Sequence, residues 1–144
     1  MKAQFPTAED YALERAKFCA LEVVDIQAVQ QSVADLYKNQ VLLNVNDNCV
    51  RLSVFEGEYR WHYHPTTDEL FLVAAGELHI EFDSGAEATL REWQSMVVPA
   101  GTVHRTRAVG RVVNITCEKQ AAEMVFVEPP AGNLSKSASR RGAI

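Results

Sequence analysis

The spacing of apolar residues changes along the chain, from a helical period in the first part to short alternating runs in the rest. In the first part an apolar residue recurs every three or four positions, as on one face of a helix. The residues of this stripe are Ile26, Val29, Val33 and Leu36. Asp25 stands where it can cap that helix, and residues 38–39 are suited to its end. Thr7 and Asp10 resemble a capping box that opens an earlier short helix over 11–21.

From residue 40 onward, short runs rich in Val, Ile, Thr and aromatic residues alternate with turn residues. This pattern predicts strands of an all-β sandwich or barrel. The predicted strands are 40–46, 49–55, 59–64, 69–74, 77–83, 86–90, 95–98, 103–108, 111–118 and 123–127. No gap between them is long enough for a crossover helix, so the strands must pair mainly antiparallel.

The chain divides into three parts by composition. We predict an N-terminal helical segment over 1–39 that packs on the barrel, the barrel itself over 40–128, and a flexible tail over 129–144. The tail is rich in Ser and small residues and carries only basic charges, which is typical of a mobile segment. With 144 residues in all, the chain is the size of one domain.

Composition and charge exclude several classes of protein. The net charge is −5, so the chain lacks the basic surface of a nucleic-acid-binding protein. No apolar run approaches the roughly 18–20 residues that cross a bilayer, and the first ten residues lack the hydrophobic segment of a signal peptide. Three widely spaced cysteines suggest neither a disulfide framework nor a cysteine-rich zinc site. We therefore expect a cytoplasmic protein with no nucleic-acid or membrane partner.

Two histidines stand two residues apart in a predicted strand. Because residues i and i+2 of a strand point to the same face, His62 and His64 project together, with Cα atoms about 6.6–6.8 Å apart. Two imidazoles at this spacing can converge on one metal ion. Glu69 opens the next strand, where a carboxylate can face the same pocket, although taken alone the residue is better explained as a surface glutamate at a strand end.

Together with their neighbours these residues resemble the first motif of the cupin superfamily. That motif is Gly, five residues, His-x-His, three or four residues, Glu, six residues, Gly. Here Gly57, His62, His64, Glu69 and Gly76 follow it, with only the first gap one residue short.

The second cupin motif is Gly, five residues, Pro-x-Gly, two residues, His, three residues, Asn. Pro99, Gly101 and His104 match it, whereas Trp93 stands at the leading Gly and Ala108 at the closing Asn. Since Trp lacks glycine's freedom at positive φ, we expect a differently shaped turn at Trp93. The resemblance implies a cupin jelly-roll barrel, an all-β fold, here preceded by one or two short helices.

The resemblance also implies a metal site made of His62, His64, Glu69 and His104. Three imidazoles and one carboxylate suit one divalent transition-metal ion per chain, either Fe, Mn, Ni, Zn, Cu or Co. Four protein ligands on an octahedral ion leave two positions open, as a catalytic metal requires. His79 alternates with apolar Leu78 and Ile80 on its strand, so we place it on the outer face and exclude it from the site.

Strand alternation names three residues that could contact a small-molecule substrate. Arg60 shares a face with His62 and could pair with an anionic group, or it could reach solvent at the strand's entrance. Thr106 shares a face with His104, and Phe71 would supply an apolar wall.

Two functions stay open at this stage. The chain is either a metal-dependent enzyme of dioxygenase, isomerase or lyase type acting on a small polar or anionic molecule, or a non-catalytic binder or sensor of a metal or small ligand. An enzyme also needs a positioned acid or base, and Arg60 is a poor one because it stays protonated. No catalytic residue is therefore assigned. From the resemblance we also expect a homodimer.

Overall fold

Both short helices begin at the residues that the sequence marks as caps. In the computed structural model, which describes residues 5–131, α1 spans Ala8–Leu13 and α2 spans Ile26–Gln31. Thr7 Oγ1 accepts a hydrogen bond from the Asp10 amide, and the Asp10 carboxylate accepts one from the Thr7 amide. The capping box is therefore confirmed, although α1 ends well before residue 21.

The second helix is also shorter than its apolar stripe. Asp25 caps it as predicted, at 3.1 Å from the Ala28 amide, but the helix ends before Val33. The Leu36 carbonyl accepts a hydrogen bond from the Glu56 amide at 3.1 Å. The last residue of the apolar stripe, Leu36, thus bonds to the sheet instead of continuing the helix.

Nine strands follow, all paired antiparallel. They are β1 (Tyr37–Val45), β2 (Asn48–Glu58), β3 (His62–Tyr63), β4 (Glu69–Ala75), β5 (Leu78–Phe82), β6 (Glu87–Leu90), β7 (Ser95–Val98), β8 (His104–Lys119) and β9 (Val125–Phe126). The all-β prediction is confirmed. The predicted strands 103–108 and 111–118 form one strand, β8, and the predicted strand 59–64 keeps only His62–Tyr63 as β3.

Strand β8 connects the parts of the barrel because its two ends pair with different strands. Its residues 104–108 pair with β5, whereas 113–117 pair with β2 on one edge and β4 on the other. A register shift interrupts the β2 pairing between these two stretches, where Gly110 has φ 79°. The strand therefore turns a corner, and residues from both of its ends reach one region of the interior.

Apolar residues form two clusters on opposite faces of the sheet. The first lies inside the barrel and is made of Phe55, Phe71, Val73, Leu78, Ile80, Leu90, Val98, Ala108 and Val112. In the second, Leu42, Leu52, Val54 and Val113 pack against the N-terminal segment through Phe18, Ile26, Val29 and Val33. Because α2 and Phe18 cover this outer face, polar residues that alternate with the second cluster point into the barrel.

Gly76 and Trp93 are two of the positions that take the left-handed backbone conformation, one with a glycine and one without. Gly76 has φ 82°, and a Cβ there would lie 2.5 Å from the Arg111 carbonyl oxygen. Trp93 has φ 63° and an exposed ring. The tryptophan therefore adopts the conformation that favours glycine, instead of avoiding it as expected, and bears the associated strain.

Among residues 5–131, neither helix is long and apolar enough to cross a membrane. The predicted tail, 129–144, lies outside the described residues from position 132 onward. The homodimer and the cytoplasmic location stay predictions.

Candidate metal centre

The four residues that the motifs indicate are all buried, three of them on the strands β3, β4 and β8 and His64 directly after β3. His62 on β3 pairs directly with His104 at the start of β8, and their ring centroids lie 4.5 Å apart. His64 follows two residues later, and Glu69 is the first residue of β4. The short connection between β3 and β4, both of which pair with β8, thus brings the carboxylate to the histidines.

Each imidazole is fixed by its Nδ1 atom, which donates a hydrogen bond to a backbone carbonyl. His62 donates to Arg60 at 2.7 Å, His64 to Glu123 at 3.1 Å, and His104 to Thr102 at 2.8 Å. A carbonyl oxygen only accepts hydrogen bonds, so the proton of each neutral ring resides on Nδ1. The Nε2 atom then carries the lone pair that a metal ion needs.

The Nε2 atoms face Glu69. His104 Nε2 lies 3.5 Å and His64 Nε2 lies 3.7 Å from Glu69 Oε1. Two atoms bonded to one ion at about 2.1 Å can be at most about 4.2 Å apart, so both pairs can share an ion. Moreover, both Nε2 atoms are buried without a hydrogen-bond partner in the described part of the chain. The donor set and its unsatisfied atoms therefore fit a divalent metal.

The possible ligands form two overlapping groups that share Glu69. In one, donor atoms of His62, Glu69 and His104 lie within 4.8 Å of one another, and in the other those of His64, Glu69 and Glu118 do. Glu118, near the far end of β8, was not among the residues named from the sequence. It brings a second buried carboxylate to the centre.

Burial and charge act on these groups in opposite directions. Burial and the neighbouring His104 lower the pKa of His62 to about 3. Burial also acts to lower the pKa of His64, but Glu69 and Glu118 outweigh it and raise that pKa to about 9. Burial acts to raise the pKa of Glu69, but His104 and His64 outweigh this effect and hold the pKa below its usual range. In the metal-free protein at neutral pH, His62 is neutral and His64 is protonated.

Arg51 holds Glu118 in place. Its Nε lies 3.1 Å from Glu118 Oε1, one terminal nitrogen lies 3.1 Å from Glu14, and the other donates to the Tyr11 carbonyl at 3.2 Å. Asn39 accepts a further hydrogen bond at 3.2 Å. The guanidinium thereby ties the N-terminal segment to the interior, and burial with the charge of Glu69 raises the pKa of Glu118 to about 8.

Three tyrosines form another wall of the same cavity. Tyr11 and Tyr37 share a hydrogen bond of 2.6 Å between their hydroxyl groups, and Tyr59 donates to Tyr11 at 3.2 Å. Burial is the main cause that raises their pKa values. They remain neutral hydroxyl groups, and Tyr11 comes from α1, so the N-terminal segment contributes directly to the cavity.

The three residues named as substrate contacts are placed differently from one another. Phe71 and Thr106 line the cavity. Arg60 does not: its side chain is exposed and its guanidinium lies 3.7 Å from the centre of the Phe126 ring. The short β3 does not extend back to Arg60, so the alternation on which its placement depended is broken. His79 lies outside the cavity, against Glu87 at 2.9 Å, as predicted.

Sequence reasoning missed the polar residues that line the cavity from β2 and β8. Asn114, Thr116 and Glu118 alternate with Val113, Ile115 and Cys117, a pattern that predicts a strand with one polar face. A polar face is ordinarily assigned to solvent. The N-terminal segment covers the apolar face instead, and this reverses the assignment.

Comparisons with known proteins agree with this fold and these motifs. The family model described as "Cupin domain" matches residues 50–116. The uncharacterized protein YdbB of Bacillus subtilis (strain 168) is 46% identical over 104 residues, which is 72% of this chain and 92% of YdbB. The chain belongs to the cupin family.

Solved structures show the same architecture. A cupin-2 domain containing protein from Shewanella frigidimarina is 29% identical, with a TM-score of 0.64 over 67% of this chain and 94% of that one. A cupin-like protein from Thermotoga maritima, 18% identical, has a TM-score of 0.59 over 74% of this chain and 90% of that one. At that identity the second likeness concerns the fold alone.

Proposed function

We propose that the chain binds one divalent transition-metal ion through His62, His64, Glu69 and His104 and is a metal-dependent enzyme for a small polar or anionic molecule. The observation that carries this proposal is the common orientation of the imidazoles, each fixed at Nδ1 by a backbone carbonyl. Such an ion, when bound, supplies a Lewis acid that can polarise a carbonyl or activate water or dioxygen.

Residues of the chain itself favour an enzyme over a passive binder. A carboxyl group is a competent acid or base, which a guanidinium is not. Glu118 lies in the cavity with Oε2 facing His64 at 3.6 Å, and Arg51 holds its other oxygen. The tyrosine hydroxyl groups can orient a bound molecule. The alternative, a cupin that only binds or senses its ligand, needs none of this arrangement.

Elemental analysis of the full-length protein tests the metal site. We expect close to one transition-metal ion per chain, and at least a tenfold loss of metal affinity in His62→Ala and His104→Ala, as ligand removal implies. His104→Gln keeps side-chain volume if the alanine variant fails to fold. His79→Ala, which removes a histidine outside the cavity, should retain the ion. Unchanged occupancy in both ligand variants would refute the site.

The identity of the ion then separates the possible reactions. Iron favours dioxygen chemistry, whereas zinc favours hydrolytic or isomerising chemistry. A metal-loaded protein that binds small molecules but converts none would support the sensing alternative.

A further inference from the structure

We infer that the inner row of β8, formed by Asn114, Thr116 and Glu118, recognises the hydroxyl groups of a neutral, polyhydroxylated small molecule. These three residues share one face of the strand and line the cavity. Their exposed fractions are 2%, 4% and 7%. This inference narrows the class of substrate. Its relevance to catalysis rests on the proposed function.

Each member of the row has an oxygen atom without a hydrogen-bond partner among residues 5–131. These atoms are Asn114 Oδ1, Thr116 Oγ1 and Glu118 Oε2. Buried polar atoms are nearly always paired, and leaving one unpaired destabilises the fold. Three unpaired oxygens on one strand face therefore indicate a bound partner that hydrogen-bonds to all of them.

The chemistry of these oxygens specifies what the partner offers. The amide oxygen of Asn114 accepts hydrogen bonds, and the threonine hydroxyl and the carboxyl group of Glu118 can donate or accept. The partner must therefore bring O–H groups. Because alternate residues of a strand are about 6.6–6.8 Å apart at Cα, these groups must be distributed along the molecule and not confined to one end.

The charges beside the row exclude an anionic group at this place. Arg51 lies opposite Thr116 in the β2–β8 register, but its two terminal nitrogens donate to Glu14, Asn39 and the Tyr11 carbonyl. Its Nε lies 3.1 Å from Glu118 Oε1 and has no hydrogen-bond partner among the described residues. The carboxylate of Glu69, which lines the same cavity, would repel a carboxylate or phosphate. A neutral segment that bears hydroxyl groups needs no free cation and is not repelled by a carboxylate.

Matched probes test the inference on the intact protein. Erythritol and 1,4-butanediol differ only in two internal hydroxyl groups, and xylitol and 1,5-pentanediol differ only in three. Succinate and glutarate are the anionic probes of the same chain lengths. Binding is followed by ¹H–¹⁵N NMR, which also locates the affected amides. We expect the polyols to bind at least about tenfold more tightly than the diols and the dicarboxylates, and to shift the amides of residues 114–118.

Thr116→Val removes one hydroxyl group at nearly constant volume. It should reduce the ratio of polyol affinity to diol affinity about tenfold. It should also raise the melting temperature by about 2–4 °C, since an unpaired buried group is lost. Thr66→Val, at an exposed turn position, is the control and should do neither. Asn114→Leu should repeat the effect of Thr116→Val.

Several outcomes would overturn the inference: equal binding of polyols and diols, tighter binding of the dicarboxylates, a preference that survives in Thr116→Val, or no detectable binding of any probe. Metal content is measured on the same samples. A loaded protein without the polyol preference refutes this inference alone, whereas polyol recognition without metal refutes only the proposed function.

Discussion

The Nε2 atom of His64 lies 3.6 Å from Oε2 of Glu118, and neither atom has a hydrogen-bond partner among the described residues. The two residues are far apart in sequence, since His64 follows β3 and Glu118 lies near the end of β8. Glu118 thus acts directly on a proposed metal ligand, together with Glu69.

Replacing Glu118 should change the protonation of His64. In Glu118→Gln one of the carboxylates that raise the pKa of His64 is lost, so this pKa should fall from about 9 by about one unit or more. NMR titration of the imidazole in metal-free protein measures it. Glu77→Gln, beside the outer His79, is the matched control and should leave His64 unchanged. An unaltered His64 titration in Glu118→Gln would show that the carboxylate exerts no such influence.

Metal affinity should rise with pH. Below its pKa of about 9, His64 carries a proton that a metal ion must displace, whereas His62, with a pKa of about 3, is already neutral. The apparent affinity for Zn²⁺ should therefore increase about tenfold per unit between about pH 6.5 and pH 8.5 and level off above pH 9. Competition against a chromophoric chelator measures this slope. A flat profile over this range would mean that His64 is not a ligand or is not protonated.

Arg51 should be among the most costly residues to replace. Arg51→Met leaves Glu118 and Glu14 without their cation and releases the Tyr11 carbonyl, and breaking a buried ion pair costs about 3–5 kcal/mol of unfolding free energy. Urea denaturation followed by circular dichroism gives the value. Arg91→Met, at a largely exposed pair with Glu77, should cost less than about 1 kcal/mol. Similar losses for both variants would contradict the structural role given to Arg51.

Trp93→Gly should stabilise the protein. The backbone at φ 63° strains any residue with a Cβ, and the exposed ring contributes little packing. We expect a gain of about 1 kcal/mol in unfolding free energy, measured by urea denaturation. Trp93→Ala keeps the Cβ and should show no such gain. Equal stability of the glycine and alanine variants would mean that the strain is relieved elsewhere.

Local patterns in the sequence predicted those features that depend on neighbouring residues. The capping box at Thr7 and the helix start after Asp25 follow from side chains three residues from their backbone partners. The positions of most strands follow from alternation, as for Ser95–Val98. The metal-site residues came from two spaced motifs, whose strand geometry places imidazoles and a carboxylate on common faces.

Only the tertiary structure decided that the polar face of this part of β8 lies inside the barrel. The alternation at Asn114, Thr116 and Glu118 marks a polar face, and only the packing of the N-terminal segment on the opposite face of β8 places it inside. Arg60 shows the reverse error, because β3 is too short to carry its side chain into the cavity. Alternation along a strand separates two faces but does not say which one is inside. That depends on what packs against the sheet, which is a contact between residues far apart in sequence.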